Sequence, residues 1–142
     1  MVKTYGLTHI ALAVRDLARS TRFYQDLLGA QIVYRDSTFV QLQTPGSRDV
    51  IVLLRKPRQA GKVGGVVHFG FRLRRPQDIA TALIAVRAAG GTVKSTGEFV
   101  PGEPYVFAAD PDGYELELWY ELPTSVDPPS RRSHPKRRAR AA

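Results

Sequence analysis

The chain of 142 residues contains no cysteine. That absence removes disulfide cross-links, zinc–thiolate clusters and thiolate nucleophiles together, so any metal must be held by His, Asp, Glu or amide oxygen. No apolar run approaches the roughly 20 residues needed to span a bilayer. The opening stretch "YGLTHIALAV" also lacks the basic start and small-residue cleavage site of a secretory signal. These absences lead us to expect a soluble, cytoplasmic protein with no membrane partner.

Acidic residues are scarce, 13 Asp and Glu against 21 Lys and Arg, which gives a net charge of +8. The excess is not spread evenly. From Pro123 onward, Arg131, Arg132, Lys136, Arg137, Arg138 and Arg140 face Asp127 alone, so the last 20 residues carry +5 and the body only +3. The tail, "PTSVDPPSRRSHPKRRARAA", is rich in Pro, Ser and Arg and nearly free of large apolar side chains, a composition that cannot bury enough surface to order itself. Residues 123–142 are expected to be a disordered basic appendage whose contact with nucleic acid is at most weak. The chain is 43% hydrophobic, enough to close one core over the body, 1–122.

That body repeats itself. "GLTHIALAV" (Gly6 to Val14) aligns with "GVVHFGFRL" (Gly65 to Leu73), bringing His9 onto His68 and apolar residues into register. Each stretch reads as a strand, followed by a helical segment ending in Gly and then by three strands. In the first copy Asp16 suits an N-cap, Leu17, Tyr24, Leu27 and Leu28 form a helical stripe, and Gly29 stops it. Strands follow at about 31–34, 38–43 and 50–54. In the second copy Pro76 suits a helix start, Ile79, Leu83 and Val86 form the stripe, and Gly90 and Gly91 end it. Strands follow at about 92–95, 104–109 and 114–121. The linker "KPRQAGKVG" (56–64) separates modules at about 5–55 and 65–122. The fold class predicted is α+β: two tandem βαβββ modules whose curled mixed sheets enclose a metal-binding cavity, with the helices outside.

Strand parity selects the residues that share the inner surface. Bulky apolar residues crowd the face opposite each histidine, so that face meets the helices and His9 and His68 point into the hollow. The closing stretch "AADPDGYELELWY" makes a turn at Asp110–Gly113 and then alternates, with Glu115, Glu117 and Trp119 opposite Tyr114, Leu116, Leu118 and Tyr120. Two imidazoles and one carboxylate, each on its own strand, make a facial triad suited to Fe, Mn, Ni, Co or Zn as a divalent ion. A metal also supplies the counter-charge that an inward-facing Glu117 needs. Gln41 shares this inner parity, Tyr105 and Phe107 line the wall, and Arg72 and Trp119 stand at its rim. From the same parity Tyr105 is a candidate hydrogen-bond donor, Gln41, Arg72, Phe107 and Trp119 are candidate substrate contacts, and Glu115 is a candidate general base.

The duplicated unit, the opening "THIALAVRDLARSTRFYQDLLGAQ", the strand "VVHFGF" and the closing "DPDGYELEL" resemble the vicinal oxygen chelate superfamily. It includes glyoxalase I, bleomycin-resistance proteins, extradiol dioxygenases and fosfomycin-modifying thiol transferases. The resemblance covers Tyr5 to Glu121 and implies that His9, His68 and Glu117 match metal-ligand positions, that the substrate presents adjacent oxygens to the metal, and that the protein is a homodimer. Lyase, isomerase or oxygenase chemistry is implied, with a non-catalytic drug-sequestering binder as the alternative. Three positions depart from particular members. Leu53 stands where glyoxalase I would have a carboxylate, Phe107 where the extradiol and fosfomycin enzymes would have Tyr, and Ala11 where the latter would have Thr.

Overall fold

Local chemistry sets the first helix. Asp16, in extended backbone, accepts the N–H of Arg19 and starts α1 (Leu17–Leu28), and Gly29 ends it in the left-handed conformation at φ 66°, returning its N–H to the Gln25 carbonyl. The second helix, α2 (Asp78–Ala88), begins two residues after Pro76, with Asp78 in its first turn and Arg87 in its last, as the helix dipole favours. The computed structural model describes Leu7, residues 9–64 and residues 66–122. The predicted basic tail, 123–142, lies outside them.

Around these helices the expected order forms twice. Strand β1 (His9–Val14) precedes α1, and β2 (Gln31–Arg35), β3 (Phe39–Gln43) and β4 (Val50–Arg55) follow it. Strand β5 (Phe69–Arg72) precedes α2, and β6 (Thr92–Glu98), β7 (Pro104–Ala109) and β8 (Glu115–Trp119) follow. Each module makes its own mixed four-stranded sheet, in the orders β1-β4-β3-β2 and β5-β8-β7-β6, with the first pair parallel and the others antiparallel. The equivalent strands β2 and β6 even share a register shift, at Ile32/Tyr34 and Val93/Ser95. Among the described residues the sheets do not join into a closed barrel. No helix among them is long and apolar enough to cross a membrane.

Alternation along the strands then sorts the faces. Leu12, Val14, Val40, Leu42, Ile51, Leu53, Val106, Leu116 and Leu118 are buried with Phe23 and Tyr24 of α1 and Ala82 and Val86 of α2, in one contiguous core. Each large side chain so buried contributes roughly 1.5–3 kcal/mol. The opposite faces carry His9, Gln41, Tyr105, Phe107 and Glu117. One prediction shifts slightly: His68 precedes β5 by one residue instead of lying within it, while Gly70 and Arg72 keep the expected parity, opposite the core-packed Phe69 and Phe71.

The β7–β8 turn does more than reverse the chain. The buried Asp112 carboxylate accepts the Arg15 backbone N–H at 3.1 Å, the Ser20 hydroxyl at 2.8 Å and the Arg19 guanidinium at 2.9 Å, all from the first module. Asp110 accepts the Tyr24 hydroxyl at 2.9 Å and the backbone N–H groups of Asp112 and Tyr114. Tyr114 donates in turn to the Ala13 carbonyl. The linker closes over this knot at Gly61, where a Cβ would stand 2.5 Å from the Asp112 carbonyl oxygen, so only glycine fits. Burial holds the Tyr24 hydroxyl well above its ordinary pKa, helped by the neighbouring Asp110 charge.

Asp112→Ala strands the Ser20 hydroxyl and Arg15 N–H and is expected to lower stability by about 3 kcal/mol, seen as a lower urea midpoint at unchanged m-value. Tyr24→Phe should cost about 1–2 kcal/mol at pH 7 because Asp110 loses a donor. The unfolded tyrosine releases its proton near the ordinary value of about 10 while the folded one retains it, so wild-type stability falls as pH rises beyond that point. The variant lacks this slope, and denaturation series at successive alkaline pH values should show the two proteins converging.

Candidate metal centre

Glu117 sits mid-strand in β8 between two cross-strand neighbours, Gly70 on β5 and Phe107 on β7. Its flanking residues Leu116 and Leu118 are locked in the core, which fixes the direction of its side chain. The residue is 8% exposed, and burial raises its pKa, partly opposed by His68. Its Oε2 lies 3.4 Å from His68 Nε2, while its buried Oε1 has no hydrogen-bond partner.

An orphaned buried carboxylate oxygen is costly, and its geometry is informative. Two donors each about 2.1 Å from one ion, at about 90–110° to each other, stand roughly 3.0–3.4 Å apart. The His68–Glu117 separation fits that spacing. Gly70 lies beside the pair, where a Cβ would stand 3.4 Å from both Glu117 Oε2 and Trp119 Nε1. Imidazole and carboxylate together suit Fe(II), Mn(II), Ni(II), Co(II) or Zn(II). The residues present therefore fit a divalent ion.

The third predicted ligand stands apart. His9 and His68 both border a cavity of about 270 Å³, but among the described residues no three His, Asp or Glu side chains are gathered closely enough to hold an ion. Within one chain, two of the three candidate ligands meet. Glu115 is directed elsewhere: it lines a second cavity of about 380 Å³ together with Ala11, Ala13, Lys62, Val67 and again His68. His68 is thus common to both cavities and to the carboxylate pair.

Other predicted residues are found as follows. Gln41 pairs with Val52 on the open face of the first sheet and borders neither cavity. Arg72 is engaged by Glu121, with its guanidinium 3.4 Å from the carboxylate and 3.0 Å from the carbonyl oxygen. Trp119 pairs with both Arg72 and Tyr105. Phe107 meets the His68 ring edge-on at 5.1 Å, and Tyr105 lies 5.3 Å beyond it. Phe99, which the sequence reading passed over, stacks on Tyr105 at 4.4 Å. The alternation of Ser95, Gly97 and Phe99 is the signal for it, because β6 runs to Glu98, three residues beyond the strand expected at about 92–95.

This fold is that of a known class. The model of the Glyoxalase/Bleomycin resistance protein/Dioxygenase superfamily matches residues 6–118, and the chain belongs to that superfamily. A lactoylglutathione lyase from Haemophilus influenzae is 31% identical over 121 residues, covering 79% of this chain and 90% of that protein. A manganese-dependent 2,3-dihydroxybiphenyl 1,2-dioxygenase from Geobacillus genomosp. 3 is 27% identical over 130 residues, 90% of this chain but 40% of that enzyme, so the chain spans less than half of its length. Among solved structures, a glyoxylase/bleomycin resistance protein/dioxygenase domain from Frankia sp. EAN1pec superposes with a TM-score of 0.71 at 25% identity, covering 84% of this chain and all of that one.

The raised pKa of Glu117 has a consequence in metal-free protein. A carboxyl that binds its proton more readily when folded adds stability as pH falls through its folded value, and that gain is lost as pH rises again. Relative to Glu117→Gln, metal-free wild type should gain stability between pH 7 and pH 4.5, measured as the difference between their denaturation midpoints. A flat difference contradicts the burial argument.

Proposed function

We propose that the chain is a metal-dependent enzyme acting on a small substrate with adjacent oxygens, by lyase, isomerase or oxygenase chemistry. The observation that carries this reading is the buried Glu117 carboxylate, with one oxygen unpartnered and the other at ligand spacing from His68. When bound, a divalent ion supplies Lewis acidity to the two substrate oxygens. The residues of the chain do the rest. His68 and Glu117 hold the ion, and the apolar neighbours of Glu117 keep competing water from its carboxylate. Glu115, on the wall of the larger cavity that His68 also borders, takes a substrate proton, Tyr105 donates a hydrogen bond, and Phe107 and Trp119 position the substrate.

His9 completes the ligand set in this reading, supplied by a second copy of the chain in a homodimer. The support is that His9 is exposed at the outer edge of β1, beside Leu7 at 95% exposure, and is not gathered with the His68–Glu117 pair of its own chain. A closed two-fold dimer would then contain two equivalent sites.

Metal analysis and calorimetric titration of the full chain with Mn(II), Fe(II), Co(II), Ni(II) and Zn(II) test this. About one ion per chain is expected, with affinity falling at least about 100-fold in His9→Ala, His68→Ala and Glu117→Gln. Mixing His9→Ala with Glu117→Gln chains should recover about a quarter of wild-type uptake, because half the dimers are mixed and each has one intact site. Wild type that takes up none of these ions supports the drug-sequestering alternative instead.

A further inference from the structure

The face that carries Glu117 continues away from His68 as an ordered series of rings. Phe107 meets His68 at 5.1 Å and 71°, Tyr105 follows Phe107 at 5.3 Å and 60°, and Phe99 stacks on Tyr105 at 4.4 Å and 24°. Phe99 also reaches Phe107, edge-on at 6.5 Å. These spacings are those in which ring quadrupoles attract, so the rings hold one another in place.

Two backbone features keep this wall open. Gly97 pairs with Tyr105 across the sheet, and a Cβ there would stand 2.9 Å from the Tyr105 hydroxyl, so the absent side chain lets the phenol lie over β6. The Phe99 backbone is tied to Glu103, donating its N–H at 3.1 Å to the Glu103 carbonyl, so the turn fixes the main chain from which the ring projects. Even so, Phe99 is 51% exposed. A large ring left half in water, stacked on Tyr105 on the same face as the carboxylate pair, is open to a ligand that reaches that face. On this face β7 offers Tyr105 and Phe107, and β6 offers Ser95 and Gly97, none of them charged. Arg72 on β5 is already engaged by Glu121.

We propose that the substrate of the His68–Glu117 site carries a flat aromatic ring that lies against the Phe107–Tyr105–Phe99 wall, with Phe99 as the residue that selects for it. The proposal rests on the metal-site reading above. It adds that the chelating oxygens belong to a substrate whose remaining carbon skeleton is planar and apolar, since the described wall residues Ser95, Gly97, Phe99, Tyr105 and Phe107 carry no charge to pair with a phosphonate or several carboxylates. Ring stacking and edge-to-face contact then orient the substrate while the oxygens set its distance from the ligands.

The test uses the Mn(II)-loaded full chain and two bidentate oxygen probes with the same chelating group, benzohydroxamate and acetohydroxamate, titrated by calorimetry. Wild type is expected to prefer the phenyl probe by about tenfold or more, Phe99→Tyr to keep that preference, and Phe99→Ala to reduce it to within about threefold, while acetohydroxamate affinity moves less than about twofold. A wild-type preference near unity, or one untouched by Phe99→Ala, overturns the proposal while leaving the metal site standing. Absence of Mn(II) uptake overturns both. A Phe99→Ala protein that changes its sedimentation but not its probe preference also overturns it, because Phe99 would then serve a contact between copies.

Discussion

Two carboxylates in one turn hold the halves of this protein together. Asp112 gathers donors from Arg15, Arg19 and Ser20, and Asp110 takes the Tyr24 hydroxyl, so the β7–β8 turn is seated on α1 and the residues just before it. Neither module has enough apolar surface to stand alone at about 50 residues. The shared core supplies the attraction, and the carboxylates set the relative placement, because charge-assisted hydrogen bonds are directional where apolar contact is not. Strand β8 leaves that same turn, so the position of Glu117 follows from the position of Asp112.

Much of this was legible in the sequence because periodicity reports burial directly. The doubled order, the Asp16 cap, the Gly29 stop and the two faces of β8 all follow from side-chain alternation and a few punctuating residues. What could not be read was partnership across the chain. The Asp-Pro-Asp-Gly stretch has the composition of a turn, and it is one; that its carboxylates serve residues more than 80 positions earlier in the chain leaves no local trace. Arg72 is a similar case, since its parity pointed to the open face but its engagement by Glu121 depends on how the chain leaves β8.

The candidate centre divides along the same line. Parity placed Glu117 and His68 on one surface, and they meet. It also placed His9 on the corresponding surface of the other sheet, where it shares a cavity with His68 but is not gathered with the His68–Glu117 pair. Each histidine occupies the same site in its own module, and the two sheets are separate. Glu115 follows parity yet lines a different cavity from the one His9 borders, because strand twist turns residues two apart toward different neighbours.

The turns also break the symmetry of the duplication. In the first module the β3–β4 connection is closed by Asp49, which bonds Thr44 through both its backbone N–H and its hydroxyl and so serves only its own loop. The corresponding connection in the second module sends its acids across to the other half. One unit is therefore the gripping member and the other the gripped, and the pair has a direction that its backbone does not reveal. Replacing the second unit with another copy of the first would keep the sequence of strands and helices while removing the latch between them.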